Sequence, residues 1–322
     1  MNTKTLRVDS TNPDPVAIAH AAELLRAGRL VAFPTETVYG LGANALDPAA
    51  VRSIYTAKGR PGTNPLIVHV AEPAQVLNVA AAWPETAQRL AAVFWPGPLT
   101  IVVPKAAHVP AEVAAGGPTV AVRCPNHPVA RALIAAAGVP VAAPSANRST
   151  ELSPTRAEHV IKGLNGLIDL VLDGGACPGG IESTVVDVTG DTVRLLRLGL
   201  IPVAMLEHVV GELATHGNRE PADFVARAPG QMAKHYSPRT PLRLVADADL
   251  EAEFITACHA GKKCGLLRLP DNPELAATML YDTLHDMDES GFDLILAELP
   301  PNTPAWAAVR DRLMRAAAIG CA

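Results

Sequence analysis

The sequence predicts an α/β protein with a larger α/β domain followed by a smaller one. Apolar runs typical of buried strands alternate with polar loops and helical patterns up to about Pro202. This alternation is typical of a sheet whose binding sites lie at strand ends. A polar, proline-rich stretch without periodicity then interrupts the chain, and a second alternation follows it. The 322 residues are enough for two separate hydrophobic cores.

The elements of the first domain follow from periodicity, caps and turn residues. A helix is predicted over 15–27, where apolar residues recur at helical spacing and Gly28 provides a stop. Two apolar runs, 30–33 and 66–70, are predicted to be strands. Between them lie a short helix at 48–56 and the segment KGRPGTNP, which two prolines and two glycines require to be a loop.

Later elements are predicted in the same way. Helices are expected at 73–80, 83–94, 128–137 and, with Ser153 as N-cap and Pro154 at the first helical position, 153–160. Strands are expected at 99–103, at 117–123 and within VPVAAPSANRST. A further strand should follow the glycine-rich loop that begins at Gly174, and the next one should end near Arg197. Each of these strands ends in hydroxyl, amide or basic side chains.

The domain boundaries are predicted at 1–212, 213–240 and 241–322, with the middle segment as a linker. Strands at 242–246, 264–269 and 292–299 alternate with helices at 249–260, within 273–289 and at 304–318. This order predicts a small α/β domain after the linker.

Composition limits the class of protein. The fractions of 49% hydrophobic and 18% charged residues are those of a soluble globular protein. No apolar run approaches the roughly 20 residues that span a bilayer, and the polar start lacks an apolar signal core, so we expect a cytoplasmic protein without membrane partners. Five cysteines without a C-x-x-C pair favour free thiols in a reducing compartment. The net charge of −5 argues weakly against a general affinity for duplex nucleic acid.

Four cations are predicted to lie at loops or strand ends: Lys58, Arg60, Arg123 and Arg197. Any one alone could be a solvated surface charge. Together with flanking glycines and hydroxyls, which expose backbone N–H groups to anions, they favour a phosphate or carboxylate clamp. Neither G-x-x-x-x-G-K-[ST] nor G-x-G-x-x-G occurs, so a nucleotide would need a different scaffold.

Other candidate groups stay open from the residues alone. His69 follows an apolar run and suits a core histidine as well as a ligand-binding one. Glu36 could be a base, a metal ligand or an exposed loop carboxylate. No Ser/His/Asp spacing and no zinc motif is identifiable, so we predict no protein metal site. Asp173, Glu182 and Asp187 are too scattered to indicate a paired-carboxylate mechanism. The residues therefore predict an α/β protein that binds an anionic ligand, and they favour a phosphorylated one.

Five motifs occur in a fixed order: FPTETVYGLG, KGRPGTNPLIVHV, VRCPNHP, APSANRS and ESTVVD. With them, the sequence resembles the threonylcarbamoyl-AMP synthase family, which is built on the YrdC-like domain. The segment APGQMAKHYSP and the ending AVRDRLMRAA are similar to the long, two-domain form. The resemblance implies a twisted mixed sheet with a large, positively lined cavity. It also implies a smaller Rossmann-like C-terminal domain, joined by a linker that covers the cavity.

The resemblance implies a reaction in which L-threonine, bicarbonate and ATP give threonylcarbamoyl-AMP and pyrophosphate. The product would pass to a tRNA threonylcarbamoyl transferase complex. Mg²⁺ would accompany ATP, and no tightly bound organic cofactor is implied. Motif positions similar to those that hold threonine are Thr35, His69, Arg123, Ala143 and Ser183. Those similar to the positions around ATP are Lys58, Arg60, Asn64, Thr119, Ser145, Asn147, Ser153, Arg197 and Tyr236, with Lys58 and Arg60 as the catalytic cations.

Two other functions compete with the synthase. An RNA-binding protein could use such a positive cavity for tRNA or double-stranded RNA, although the net acidity and the lack of an aromatic-interleaved basic stripe count against it. A carbamoyl-transfer enzyme related to hydrogenase maturation proteins would carry zinc-finger and acylphosphatase-like segments, which this sequence lacks.

Overall fold

The computed structural model of the chain describes residues 2–215 and 236–317. Those residues form a large mixed sheet of eleven strands and a small parallel sheet of three. The strands of the large sheet are β1 Lys4–Arg7, β2 Val31–Phe33, β3 Gly40–Asn44, β4 Ile67–His69, β5 Leu99–Pro104, β6 Thr119–Arg123, β7 Val141–Ala142, β8 Leu170–Asp173, β9 Thr184–Asp187, β10 Val193–Arg197 and β11 Leu213–Thr215. The small sheet consists of β12 Leu242–Val245, β13 Cys264–Leu267 and β14 Leu294–Glu298.

Helices connect these strands in both parts. They are α1 Pro15–Arg26, α2 Pro48–Lys58, α3 Glu85–Phe94, α4 Pro128–Ala137, α5 Ala157–Leu164, α6 Val203–Val210, α7 Asp247–His259, α8 Pro273–Glu289 and α9 Ala307–Ala317. Shorter 3₁₀ helices lie at Pro73–Asn78, Ala111–Ala114 and Pro304–Trp306. The predicted class, a mixed sheet followed by a smaller α/β domain, is confirmed.

Strand order brings distant segments together. The large sheet has the order β1-β8-β2-β3-β7-β4-β6-β5-β9-β10-β11. In its middle, β4 runs parallel to β6 and antiparallel to β7. The carboxyl ends of β4 and β6 therefore meet at one edge, which is where side chains for a binding site converge in α/β sheets.

The end of α2 shows how local sequence positions a candidate residue. Asp47 caps the helix by accepting from the backbone N–H groups of Ala49 and Ala50, and Pro48 occupies the first turn. Gly59 then adopts a left-handed conformation with φ of 61°, which glycine adopts without a side-chain clash. The chain reverses there and directs Lys58 and Arg60 inward.

The helix expected at 73–80 is present as a 3₁₀ helix, Pro73–Asn78. The start of another helix was predicted wrongly. The helix predicted from Ser153 begins only at Ala157, because the Pro154 carbonyl accepts from the backbone N–H of Tyr39 and the Ser153 hydroxyl donates to Glu182. Ser153 thus has a tertiary partner in place of a helical N–H.

The strand β3 was not predicted, since its sequence GLGAN has little β propensity. A side chain is excluded at Gly42 because a Cβ there would lie 2.8 Å from the Phe33 ring and 2.9 Å from Val141. Tight packing between neighbouring strands therefore selects glycine over a better strand former.

The hydrophobic cores connect the two parts of the chain. Two clusters contain the buried residues of the large sheet and its helices. A third cluster joins α8, α9 and the small sheet to Val38, Leu152 and Ile181 of the larger part. The C-terminal domain thus packs on the loops that follow β2 and β7 and on the loop that precedes β9. No helix among the described residues is long and apolar enough to cross a membrane.

Candidate active site

A cavity that is partly open to solvent lies at the strand ends where β4 and β6 meet, and its empty space of about 480 Å³ includes this open part. Nine of the predicted site residues line it: Thr35, Arg60, His69, Arg123, Ala143, Ser145, Ser183, Arg197 and Tyr236. The remaining five are outside the residues that line the cavity: Lys58, Asn64, Thr119, Asn147 and Ser153. The motifs, far apart in sequence, therefore meet at a single cavity.

Thr35 is fixed by the tight loop that follows β2. Its hydroxyl donates to the Val38 carbonyl at 2.7 Å and accepts from the N–H groups of Thr37 and Val38. A further hydrogen bond of 2.8 Å joins the Thr35 and Thr37 hydroxyls. Because these bonds fix the rotamer, Thr35 has a defined position beside any bound ligand.

Arg123 stands at the end of β6 and is almost fully buried. Its guanidinium donates to the Thr37 hydroxyl at 2.9 Å and to the Gly97 carbonyl at 3.3 Å. The carboxylate of Glu36 lies 2.8 Å from its second terminal nitrogen. With three partners on the protein side, the guanidinium keeps a fixed orientation, and its remaining N–H groups can serve a carboxylate ligand.

His69 is a cavity-lining residue, which resolves the choice left open by the sequence in favour of a side chain at the cavity. Burial, with Arg123 close by, lowers the pKa of His69 to about 3. The imidazole is therefore neutral near pH 7, and its Nδ1 has no hydrogen-bond partner within the protein. A neutral ring can exchange a hydrogen bond with a ligand without adding charge.

Lys58 does not line the cavity but holds a loop that does. Its ammonium donates to the carbonyl oxygens of Ser145, at 2.6 Å, and Asn147. Burial and the neighbouring Arg60 hold the pKa of Lys58 well below its usual range. The Ser145 hydroxyl in turn donates to the Asn147 side-chain oxygen at 2.5 Å. Lys58 therefore fixes the loop after β7 that presents Ser145.

Arg60 and Arg197 approach the cavity from different sides. Arg60 donates to the carbonyls of Asn64 at 3.1 Å and Pro65 at 2.9 Å, and burial lowers its pKa to about 10, so it stays charged at neutral pH. Arg197 donates to the carbonyl and hydroxyl of Ser183 at 3.0 and 2.9 Å. Both guanidiniums line the cavity, where their positive charge favours an anion, and Arg197 also lowers the pKa of the neighbouring Glu182.

Asn64, Ser153 and Thr119 are three predicted residues that do not line the cavity. Asn64 is buried beside Arg60 through its carbonyl, and Ser153 is buried against Glu182. Thr119 begins β6, four residues before Arg123, which is about 13 Å along an extended strand. The structure therefore does not bring Thr119 to the same end of β6 as Arg123.

The sequence reasoning missed Glu182, which lines the cavity and is buried. Burial alone would raise the pKa of Glu182, but Arg312, Arg197 and Ser153 outweigh it and hold the pKa below its ordinary value. Its ion pair with Arg312 measures 2.8 Å. Only the position of Glu182 in the motif ESTVVD could have drawn attention to it. Glu36, which had no assigned role, is the carboxylate partner of Arg123.

The charge distribution indicates an anion-binding cavity. Glu182 lines the cavity and is paired with Arg312, and Glu36, which does not line it, is paired with Arg123. Arg60 and Arg197 line the cavity as well, and each donates hydrogen bonds to neutral oxygens. One end of the cavity, with Arg123, His69 and Thr35, can hold a small polar molecule that carries a carboxylate. The other end, with Arg60, Arg197 and Ser145, can hold phosphates.

Comparison with known proteins gives consistent matches along the chain. Residues 23–199 match a family described as "Telomere recombination", and residues 201–318 match "Threonylcarbamoyl-AMP synthase, C-terminal domain". The threonylcarbamoyl-AMP synthase of Bacillus subtilis is 41% identical, with 98% of each chain covered. That of Pyrococcus abyssi is 43% identical, with 92% of each chain covered.

A solved structure agrees with these matches. The crystal structure of P. abyssi Sua5 complexed with L-threonine superposes with a TM-score of 0.93 at 41% identity and covers 98% of each chain. The resemblance predicted from the motifs is confirmed, because it extends over both domains in sequence and in fold. The chain belongs to the threonylcarbamoyl-AMP synthase family.

Proposed function

We propose that the chain synthesises threonylcarbamoyl-AMP from L-threonine, bicarbonate and ATP, with release of pyrophosphate, in the cavity described above. The observation that carries this proposal is that one cavity is lined by Arg123 with Thr35 and His69, which suit a carboxylate, and by Arg60 and Arg197, which suit phosphates. A nucleotidyltransferase of this kind must hold an amino acid and a nucleotide side by side, and this lining meets that requirement.

The threonine end suits an amino acid. Arg123 offers its free N–H groups to the carboxylate, since Glu36 and Thr37 already fix its orientation. The neutral His69, the Thr35 hydroxyl, the Ala143 backbone and the Ser183 hydroxyl surround the space beside it. We assign these groups to the recognition of the threonine amine and side chain.

The chemistry requires two anions to approach each other. The amine of threonine first adds bicarbonate as a carbamate, with loss of water. A carbamate oxygen then forms a bond to the α-phosphorus of ATP, and the bond from that phosphorus to the bridging oxygen of pyrophosphate breaks. Arg60 and Arg197 offset the repulsion and stabilise the charge that develops on the phosphates. No covalent enzyme nucleophile is needed.

We assign Lys58, Ser145 and Asn147 to one ATP-binding unit, because Lys58 fixes the loop that carries the other two. Asn64 supports Arg60 through its carbonyl, and Ser153 supports Glu182 through its hydroxyl. Thr119 remains a proposed ATP contact from the sequence motif alone. Tyr236, which belongs to the predicted linker 213–240, lines the cavity. We propose that it closes over the nucleotide; the preceding linker residues, 216–235, lie outside the described part of the chain.

A magnesium ion fits this site only as a companion of the triphosphate. Among residues 2–215 and 236–317, no group of three or more His, Cys, Asp or Glu side chains is arranged to hold a metal. The cavity-lining carboxylate Glu182 and the nearby Glu36 are each paired with an arginine. Mg²⁺ commonly binds substrate phosphates with few protein ligands, and it would here neutralise charge on ATP.

The product's chemistry determines what must follow. A mixed carbamate–phosphate anhydride hydrolyses readily in water, so a transferase that places the threonylcarbamoyl group on tRNA would have to take it up soon after release. We therefore propose such a transferase complex as the partner. The cysteine pattern supports a reducing compartment, and we propose the cytoplasm.

The decisive experiment is pyrophosphate release by the purified chain with ATP, Mg²⁺, L-threonine and bicarbonate, each omitted in turn. We expect release to depend on all of the substrates and L-serine to be a poorer substrate than L-threonine. Release that is independent of threonine or bicarbonate would refute the synthase. Tight binding of tRNA without such release would favour an RNA-binding protein.

A further inference from the structure

Arg312 lies on α9 of the C-terminal domain, yet it ends beside the cavity of the larger domain. Its side chain is fully buried. The Nε atom donates to Glu182 at 2.8 Å, and one terminal nitrogen donates to the Leu198 carbonyl at 2.7 Å. The other donates to Asp311 at 2.6 Å. Every nitrogen of the guanidinium thus has an oxygen partner, two of them in the larger domain.

Glu182 is the partner that reaches the cavity. Besides Arg312, its carboxylate accepts from the Ser153 hydroxyl at 2.5 Å and from the Tyr281 hydroxyl at 3.2 Å. Tyr281 belongs to α8 of the C-terminal domain. The next residue after Glu182 is Ser183, which lines the cavity and accepts from Arg197. The C-terminal domain therefore holds the segment that presents Ser183 and Arg197.

Tyr236 is the second group that Arg312 contacts. The guanidinium carbon lies 4.9 Å from the centroid of the Tyr236 ring, within the range of a cation–π interaction. Tyr281 packs against the same ring with centroids 5.9 Å apart. Tyr236 has a φ of +66°, a conformation that is unfavourable for a tyrosine and persists only where the surroundings enforce it. Arg312 and Tyr281 supply such surroundings.

The backbone of α8 also lies against the loop before Glu182. A Cβ on Gly180 would lie 2.3 Å from the Ala277 carbonyl oxygen, so no side chain fits there. The Thr278 hydroxyl donates to the Pro178 carbonyl at 2.9 Å. These contacts make the loop and the C-terminal domain one packed unit, in which a shift of α9 would move Glu182 as well.

We propose that Arg312 is a positioning residue for the nucleotide end of the site: by holding the Glu182 carboxylate and the Tyr236 ring together, it keeps the cavity closed over ATP. The proposal rests on the proposed function and assigns the C-terminal domain a part in it. Arg312 does not line the cavity, so it acts through Glu182 and Tyr236.

The consequence of losing Arg312 follows from the contacts. Without the guanidinium, the Glu182 carboxylate keeps only the neutral hydroxyls of Ser153 and Tyr281 as hydrogen-bond partners, and Arg197 is farther away. A buried charge without an ionic partner is unfavourable. The carboxylate would then turn toward Arg197 and compete with the phosphates for that cation. Tyr236 would lose its stacked partner and leave its strained conformation. Both changes affect the nucleotide end most. Among the groups assigned to threonine, only Ser183 adjoins Glu182, whereas Thr35, His69 and Arg123 keep their own contacts.

The test compares Arg312→Met and Arg312→Lys with Arg310→Met, a control on the same helix whose guanidinium donates to the Pro300 carbonyl. Initial rates of pyrophosphate release give KM for ATP and for threonine. We expect Arg312→Met to raise the KM for ATP about tenfold and to change the KM for threonine less than twofold. Arg312→Lys, which keeps the charge but not the planar fork, should recover part of the loss.

A second readout does not depend on the reaction. The backbone N–H of Ser237 donates to the Thr150 carbonyl at 2.9 Å, so hydrogen exchange of the peptide 236–242 reports the opening of this segment. In the absence of ligands we expect faster exchange in Arg312→Met than in the wild type or Arg310→Met.

The outcomes separate this proposal from the proposed function. Wild-type exchange in Arg312→Met, or equal losses for ATP and threonine, would overturn the positioning role. If Arg312→Met does not fold, the same criteria apply to Arg312→Lys. A wild-type chain that releases no threonine-dependent pyrophosphate would overturn the synthase, and the exchange measurement would still decide whether Arg312 holds Tyr236.

Discussion

His69 and Arg123 are register partners on the parallel strands β4 and β6, and both side chains line the same cavity. The pairing connects the two motifs, although 53 intervening residues separate them in the sequence. Because β4 and β6 are parallel neighbours, register partners point to the same side of the sheet. The strand register therefore sets the distance between the neutral His69 imidazole and the Arg123 guanidinium. Recognition of a carboxylate would depend on this distance.

Replacing Arg123 with lysine tests the carboxylate end of this pair. Arg123→Lys keeps the charge but loses the planar fork and the bonds to Thr37 and Gly97, so we expect the KM for threonine to rise at least tenfold. Arg131→Lys, on α4, is the control because Arg131 contacts the Ala71 carbonyl and does not line the cavity. Kinetics of pyrophosphate release with circular dichroism would check this, and an unchanged KM in folded Arg123→Lys would contradict it.

Glu36 gives a second prediction about the same guanidinium. Its carboxylate, 2.8 Å from Arg123, orients the fork, so Glu36→Ala should raise the KM for threonine about fivefold to tenfold. Glu36→Gln, which can still accept a hydrogen bond, should recover most of this loss. Initial rates of pyrophosphate release at varied threonine would measure the KM of both variants, and isothermal titration would measure their affinity for threonine. Tighter threonine binding by Glu36→Ala would mean instead that the carboxylate competes with the substrate for Arg123.

Lys58 is predicted to act through the loop that it holds. Lys58→Met removes the donor for the carbonyls of Ser145 and Asn147, so the loop that presents Ser145 should shift, and we expect the KM for ATP to rise about tenfold. Lys105→Met is a matched control, since Lys105 also donates to two backbone carbonyls, those of Ala106 and Val109, but lies outside the cavity lining. Equal effects of the two substitutions on ATP binding would argue against a specific role for Lys58.

Local sequence was enough to predict many elements of the fold and the candidate residues of the site. Helices such as α2 carry their own caps, and the cations at Arg60 and Arg123 follow recognisable motifs. The strand β3 was missed because its glycines are selected by contact with Phe33 and Val141, which no local pattern reveals. Glu182 was discounted because its partners, Arg312 and Tyr281, come from 130 and 99 residues away. Contacts between domains of this kind leave no periodicity in either segment.

The last prediction concerns pH and the packing of the two domains. His159 of α5 stacks on His285 of α8 with ring centroids 3.8 Å apart, and Asp282, Arg156 and Lys162 lie around them. Burial lowers the pKa of each histidine to about 4. Between this value and the ordinary value of 6.5, the unfolded chain binds more protons than the folded one. The free energy of unfolding should therefore fall as the pH is lowered from about 6.5 to 4, by up to about 1.4 kcal/mol per pH unit for each histidine.

Urea unfolding at pH 7.5, 6.5, 5.5 and 4.5 measures this slope. We expect His285→Gln to flatten it, because glutamine can still donate to the Ser153 carbonyl, the acceptor that lies 3.2 Å from His285, but cannot take up a proton. His208→Gln, at an exposed position of α6, serves as the control and should keep the wild-type slope. An equal flattening by both substitutions, or none by His285→Gln, would show that the acid sensitivity arises away from the interface between the domains.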